Sequence, residues 1–403
     1  MIINSLLDTD FYKFTMQHAV FYLYTDVNVR YKFKWRNWHK MKLNIDTNEF
    51  VDRINKEVDN LCTLNFTQDE LDYLRNIPFF KEGYIEYLRL FQLNRNHIKV
   101  YVDKNYDIEV DIKGPWLNTI LFETPVLAII SELYTNQIND FVDNNVIMNA
   151  VDLFVDNKIE YLYNEAPEGF HFGDFGTRRR RSFDFQNIML YLLTSSSLKE
   201  HLTGTSNVYF AKKYNIKPLG TQAHEWYQVH QQLDTKLIDS QSNALQRWAD
   251  VYRGDLGIAL SDCITFDAFL VDFDKYFAKL YDGCRHDSGN PYVWTNKLIG
   301  HYENLGINPK TKTALFSDGL TLELAVHLYH TYSGHINVAF GIGTHLTNDS
   351  NEFTAPQIVL KVVETNGKPV AKVSDSPGKG MCEDIEFENY LKKIILQKTE
   401  KGV

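Results

Sequence analysis

The chain has 403 residues and a formal charge of −10, with 44% hydrophobic, 14% aromatic and 23% charged residues. That length exceeds the usual span of one hydrophobic core and predicts two domains, and the apolar content suffices for both. The acidic balance excludes a broad nucleic-acid or anionic-membrane surface, so any anion site must be a local concentration of cations.

The first ten residues, Met1 to Asp10, carry no basic leader, and the most apolar stretch, Pro125 to Ile130, is too short to cross a bilayer. Cys62, Cys263, Cys284 and Cys382 form no Cys-x-x-Cys pair and read as reduced thiols, so a cytoplasmic location is expected. In the first third, Val29 to Trp35, Ile98 to Val102 and Ile108 to Ile112 place apolar residues at every second position. That alternation predicts an antiparallel sheet covered on one face. From about Leu127 to Thr347 the pattern changes to compact apolar runs, Gly257 to Leu260, Thr313 to Phe316 and Ile336 to Phe340. Between them lie helical spacings such as Ala244, Leu245, Trp248 and Tyr252, or Leu322, Ala325 and Leu328. Buried strands alternating with helices predict a parallel sheet closed into a barrel. Further on, Ile358 to Val363 and Pro369 to Val373 flank Asn366-Gly367, a hairpin signal, and this hairpin is expected to rejoin the N-terminal sheet. The expected division is one domain from both ends of the chain, residues 1–126 and 348–403, with an α/β barrel from residues 127–347.

Six apolar runs end abruptly in polar motifs, five of them glycine-bearing: Phe172 to Arg178, Leu219 to Trp226, Ser261 to Phe266 (the one without glycine), Gly283 to Pro291, Phe316 to Gly319 and Phe340 to His345. An α/β barrel collects the C-terminal ends of its strands on one face, so these motifs would meet in one mouth. Their Arg and His side chains and exposed backbone amides suit a phosphorylated substrate, and their carboxylates suit a divalent metal. The chain therefore reads as an enzyme. Several signatures are missing: Ser376 to Gly380 is not a complete P-loop, Gly341-Ile-Gly343 lacks the third glycine of the dinucleotide fingerprint, and no H-E-x-x-H occurs.

Arg178 to Arg181 is the densest positive charge, and Arg178, nearest the strand end, is the best candidate to reach a phosphate or carboxylate. Arg285 and Asp287, two residues apart on an extended segment, project to the same side; they form either a structural salt bridge or an anion grip beside a ribose- or metal-binding carboxylate. Ser317-Asp318-Gly319 and Gly341 to Thr344 end buried strands and read as tight turns or as a phosphate cup. His224, just past a Gly-Thr turn, can be a structural imidazole, a general base or a covalent phosphoryl acceptor.

At these residues the chain resembles the bacterial and fungal branch of the nicotinate phosphoribosyltransferase family. The resemblance runs through Leu6 to Lys13, Gly114 to Trp116, Phe175 to Arg180, Gly204 to Asn207, Gly220 to Trp226, Arg285 to Gly289, Phe340 to Thr344 and Asn366 to Val370. It implies an irregular type II phosphoribosyltransferase α/β barrel beside an open-faced α/β sandwich. The implied reaction joins nicotinate to 5-phosphoribosyl 1-diphosphate (PRPP), giving nicotinate mononucleotide and diphosphate, with ATP as co-substrate and Mg²⁺ as the metal. By the same resemblance His224 is the transient phosphohistidine, and Tyr12 and Phe175 cover the two faces of the pyridine. Thr221 and Arg285 lie at the nicotinate pocket, Arg178 near pyridine and ribose phosphate, and Asp287, Asp318, Gly319, Gly343 and Thr344 bind PRPP. Asp287 is the candidate contact to a metal-bound diphosphate. Relatives that use nicotinamide carry Asp where this chain has Ser206, whose hydroxyl suits the acid. No nucleic-acid or membrane partner is expected. The oligomeric state is left open, a homodimer with Tyr12 acting in trans included. The rival readings are a nicotinamide or quinolinate phosphoribosyltransferase, and a catalytically silent barrel that binds a partner through its arginine run.

Overall fold

The computed structural model describes residues 1–38, 46–139, 144–233, 236–348, 354–375 and 380–401. Two sheets organise it. Strands β1 (Asn28–Trp35), β2 (Ile98–Val102) and β3 (Ile108–Pro115) form an antiparallel ladder whose alternating residues Val29, Tyr31, Phe33, Ile98, Val100, Val110 and Ile112 are buried. The second sheet is parallel and takes β4 (Phe172–Asp174), β5 (Leu202–Thr205), β6 (Lys217–Pro218), β8 (Ile258–Leu260), β9 (Gly283–His286), β10 (Thr313–Phe316) and β11 (Asn337–Ile342), while β7 (Arg253–Leu256) joins neither sheet. Its order is β6-β5-β4-β11-β10-β9-β8, seven strands in all. The two edge strands are not paired with each other, but the sheet curls far enough for the Thr221 hydroxyl, just past β6, to donate to the Ile258 carbonyl of β8 at 2.9 Å. This is the expected irregular barrel, left open along one seam.

Strand register fixes where the mouth lies. Phe316 stands level with Phe340 and His286, and Arg285 with Leu260 and Leu315, so the residues that follow each strand emerge at one height.

The late hairpin joins the N-terminal sheet as expected. Strand β12 (Ile358–Thr365) pairs antiparallel with β1 from Val29↔Thr365 to Trp35↔Ile358, giving the order β13-β12-β1-β3-β2. Asn366 and Gly367 both have positive φ, 50° and 74°, which a two-residue primed turn requires. The returning strand is shorter than the alternation to Val373 implies, because β13 is only Lys368–Pro369. Beyond it the chain crosses to the barrel: the Val373 amide donates to the Cys263 carbonyl at 2.9 Å, and Val373 bridges Ile264. That crossing carries Lys372 to the loop after β8.

The apolar run around Pro125 is longer than it reads in sequence. Trp116 to Gln137 forms helical structure of 22 residues, long and apolar enough to cross a membrane by composition, but most of it is buried inside the protein. It is a core helix, and its second part, Glu123–Asn139, runs unbroken past residue 126. The C-terminal helix Ile385–Lys401 packs on the helix Phe266–Asp272, anchored by Lys398 Nζ at 2.5 and 2.6 Å from the Asp272 carboxylate oxygens. All four cysteines are free thiols. The tract Ser376 to Lys379 lies outside the described residues.

Candidate active site

The barrel mouth faces the antiparallel sheet, and the seam between them holds a small enclosed chamber that opens into a cleft of about 520 Å³. Tyr12, His224, Glu225, Glu123 and Lys361 line the chamber. Phe175, Arg179, Asp318, Gly319, Gly343, Thr344 and Lys372 line the cleft, and Arg178, Arg285, Asp287 and Lys361 face both.

His224 begins the helix His224–His230. Its Nε2 lies 2.8 Å from Asp262 Oδ1 and 3.7 Å from Asp287 Oδ2, and its Nδ1 lies 3.5 Å from Lys361 Nζ. Burial pushes the imidazole down to about 4, and Lys372 and Lys361 add to this against the pull of Asp262. Asp262 is buried, which would raise its pKa, yet His224 and Lys372 hold the carboxyl well below its usual range. A neutral imidazole facing a carboxylate must carry its proton on Nε2, so the lone pair sits on Nδ1, on the Lys361 side. Asp262 is in turn fixed by the Ser288 hydroxyl at 2.6 Å and by Lys372 Nζ at 2.9 Å.

Arg285 and Asp287 do pair, Nη2 to Oδ1 at 2.8 Å, and Ser317 Oγ receives Arg285 Nε at 2.7 Å and reaches Asp287 Oδ1 at 2.9 Å. The contact leaves both side chains on the cavity walls, so pairing and ligand contact are compatible. Burial would raise Asp287, but Arg285 and His224 keep its carboxyl far below the ordinary value.

The four arginines part company. Arg178 faces Asp10 and Glu123 at 3.7 and 3.6 Å while lining both cavities. Arg179 donates to the Ile358 carbonyl and lines the cleft. Arg180 is fully buried and clamps Asp8 with two 2.7 Å bonds, a structural pair, and Arg181 is buried as well. Burial, Arg178 and Arg36 together push Arg179 down to about 10, and burial lowers Arg36 too. Arg36, Arg178 and Arg179 gathered on one wall, with Arg179 depressed by the other two, suit a polyanion.

Tyr12 and Phe175 are set by close packing. A Cβ at Gly220 would come within 2.9 Å of the Tyr12 amide, and one at Gly341 within 2.4 Å of the Phe175 ring. Glycine at both positions lets the two aromatics approach the mouth. Ser206 and Thr221 sit one step back. The Ser206 hydroxyl donates to Asp10 Oδ1 at 2.7 Å, the Thr221 hydroxyl donates across the open seam to the Ile258 carbonyl, and neither lines the chamber or the cleft. Each hydroxyl donates to a nearby acceptor, and Asp10 in turn faces Arg178.

His224, Asp262 and Asp287 offer ligand atoms within 4.8 Å of one another. Lys372 and Lys361 already stand against two of the three, which makes this trio a poor metal cage. Asp287 and Asp318, hard oxygen donors on the cleft wall, fit better a Mg²⁺ ion carried by substrate phosphates, since Mg²⁺ prefers one or two carboxylates with waters and phosphate oxygens.

The residues that sequence reasoning left without a role are Asp262, Lys361, Lys372 and the buried group Lys13, Glu123 and Glu225. Lys361 and Lys372 carried a signal, a lysine inside an apolar run, that the pattern alone does not assign to either face.

The comparisons with known proteins converge. A family model described as "Nicotinate phosphoribosyltransferase (NAPRTase) family" matches residues 170–398, and its N-terminal domain model matches residues 7–131. The chain belongs to the nicotinate phosphoribosyltransferase family. It is 47% identical to a nicotinate phosphoribosyltransferase of Xanthomonas euvesicatoria over 399 residues, 98% of each chain. A namesake from Xylella fastidiosa is 46% identical, again over 98% of both. Among solved structures, nicotinate phosphoribosyltransferase from Vibrio cholerae superposes with a TM-score of 0.89 at 36% identity, covering 99% of this chain and 97% of that one. A putative one from Saccharomyces cerevisiae gives 0.88 at 32% identity, covering 98% of each. The type II barrel and open-faced sandwich expected from sequence are thus the fold of the family.

Proposed function

We propose that this chain condenses nicotinate with PRPP to nicotinate mononucleotide and diphosphate, and that ATP drives the reaction through a phosphoryl group carried on His224. Membership of the family supports the substrates. The observation that carries the ATP step is the setting of His224, neutral, with Nε2–H held by Asp262 and Nδ1 turned toward Lys361 at the chamber wall. In that step the Pγ–O bond to the ADP leaving group breaks as a bond from Nδ1 to phosphorus forms. Lys361 and Lys372 supply the local positive charge, and the phosphohistidine is hydrolysed later to release phosphate.

Glycosyl transfer asks little proton chemistry of the protein. The pyridine nitrogen attacks C1 of the ribose with its own lone pair while the C1–O bond to diphosphate breaks. Tyr12 and Phe175 sandwich the ring, and Arg285 or Arg178 meets its carboxylate. Asp318, Gly319, Gly343 and Thr344 hold the phosphorylated sugar, and the cationic wall with Arg179 receives the diphosphate. Mg²⁺, held by Asp287 and Asp318, would neutralise charge on the leaving group. We read the two sheets as the cores of two domains, residues 1–126 with 348–403 and residues 127–347, with the site at their seam.

The test is incubation with γ-phosphate-labelled ATP followed by peptide mapping. An acid-labile label on the peptide containing His224 is the expected result, and label elsewhere, or none, removes the phosphohistidine. PRPP-dependent turnover of nicotinate, nicotinamide and quinolinate, measured side by side, tests the substrate: nicotinate should be preferred over both.

A further inference from the structure

Tyr12 and Lys13 are consecutive at the start of the helix Phe11–Leu23, and His224 and Glu225 are consecutive at the start of the helix His224–His230. Tyr12 and His224 face the chamber. Their neighbours bond to each other: Lys13 Nζ lies 2.5 Å from Glu225 Oε2, and both side chains are buried. The second Glu225 oxygen accepts from Tyr31 Oη and from Trp116 Nε1, each at 2.6 Å, so the carboxylate is fixed on both sides. Lys13 also pairs with Glu123, whose other oxygen faces Arg178 Nη1 at 3.6 Å. A chain of alternating charges thus runs along the chamber wall, with Lys13 behind it, from the turn that carries His224 to Arg178 and the helix that carries Tyr12. Nothing in the glycosyl-transfer chemistry uses it.

We propose that the buried Lys13–Glu225 pair is a strut that passes the phosphorylation state of His224 to Tyr12, so that phosphorylation tightens the nicotinate pocket. This rests on the phosphohistidine reading above. Lys13 and Glu225 are positioning residues: they bind the first turns of two helices together, and a shift of one turn as phosphate arrives must move the other. Linkage makes the effect reciprocal, so bound nicotinate favours the phosphorylated enzyme by the same factor.

The experiment measures nicotinate Kd with and without ATP, together with acid-labile label on His224, in the full chain and in Glu225→Gln. The amide keeps an oxygen for Tyr31 and Trp116 but presents no charge to Lys13. In Glu225→Gln that has taken up label, the ratio of Kd without ATP to Kd with ATP should fall to near one. The strut is overturned if labelled Glu225→Gln keeps the full ratio, or if its Kd rises equally with and without ATP, as a merely structural role requires. Absence of label in the unaltered protein would remove the phosphohistidine and the strut with it. Tyr31→Phe, which deletes a single hydroxyl, decides the matter if Glu225→Gln does not fold: it should lower the ratio part-way, and an unchanged ratio overturns the proposal.

Discussion

Lys361 Nζ stands 3.5 Å from His224 Nδ1, although one residue belongs to the antiparallel sheet and the other to the barrel mouth. Burial is the main influence holding Lys361 down, to about 8, with Lys372 and Arg178 adding to it against Glu123. His224 is neutral above about 4. Phosphorylation by ATP needs the neutral imidazole and the charged ammonium, so its rate should hold across neutral pH and decline as pH rises through about 8. Single-turnover labelling against pH measures this. Lys361→Met should lose the alkaline limb together with about tenfold or more of the labelling rate, an amount corresponding to about 1.4 kcal/mol.

His224→Ala should abolish ATP hydrolysis and ATP stimulation while leaving slow PRPP-dependent synthesis. Retention of ATP coupling in this variant would contradict the role given to the imidazole.

Arg285→Ala removes a guanidinium that faces both cavities and steadies Asp287. A raised nicotinate KM with a lowered kcat is expected, about a hundredfold together in kcat/KM, equivalent to roughly 3 kcal/mol. An effect confined to the PRPP KM would reassign Arg285 to the diphosphate.

One chain supplies Tyr12, His224 and Arg285 to the same chamber. Mixing Tyr12→Ala with Arg285→Ala protein should therefore recover no activity, whereas recovery would show a site shared between subunits.

Buried histidines, His286 among them, should weaken the fold on the acid side, with largely buried Glu132, raised to about 7, opposing them. Burial is the largest influence on His18, His224 and His230, and each is lowered to about 4 from an ordinary 6.5. Below pH 6.5 the unfolded chain binds protons that the folded chain refuses, so stability should fall as pH drops from 6.5 toward 4. Each histidine contributes at most about 1.4 kcal/mol per pH unit in this window. Tm recorded across it should decline, and His18→Gln should flatten the slope. A flat Tm would mean that these imidazoles ionise without cost.

Much of this was legible in the sequence. Strand alternation marked β1, β2, β3 and β12, and the Asn-Gly turn returned the chain to its first sheet, because period-two patterning and turn chemistry are local properties. Strand ends were equally visible, since the glycine-bearing motifs after β4, β6, β9, β10 and β11 interrupt apolar runs. What local pattern could not carry was the destination of side chains after folding. Lys361 fits an alternating strand whether that face meets water or the barrel mouth, and only the β12–β1 pairing decides. Nothing nearby in sequence announces Asp10 or the Ile258 carbonyl as the acceptors of the Ser206 and Thr221 hydroxyls. The same holds for Lys13 and Glu225, 212 residues apart.

The place of β12 beside β1 has a consequence for biogenesis. During synthesis the first sheet must wait, with one edge of β1 unsatisfied, until β12 and everything before it have left the ribosome. The strand that fills this gap also delivers Lys361, and the segment after it delivers Lys372. A nascent or prematurely terminated product ending before them therefore lacks both cations and has a sticky border, so catalytic competence and protection from aggregation arrive in the same late step.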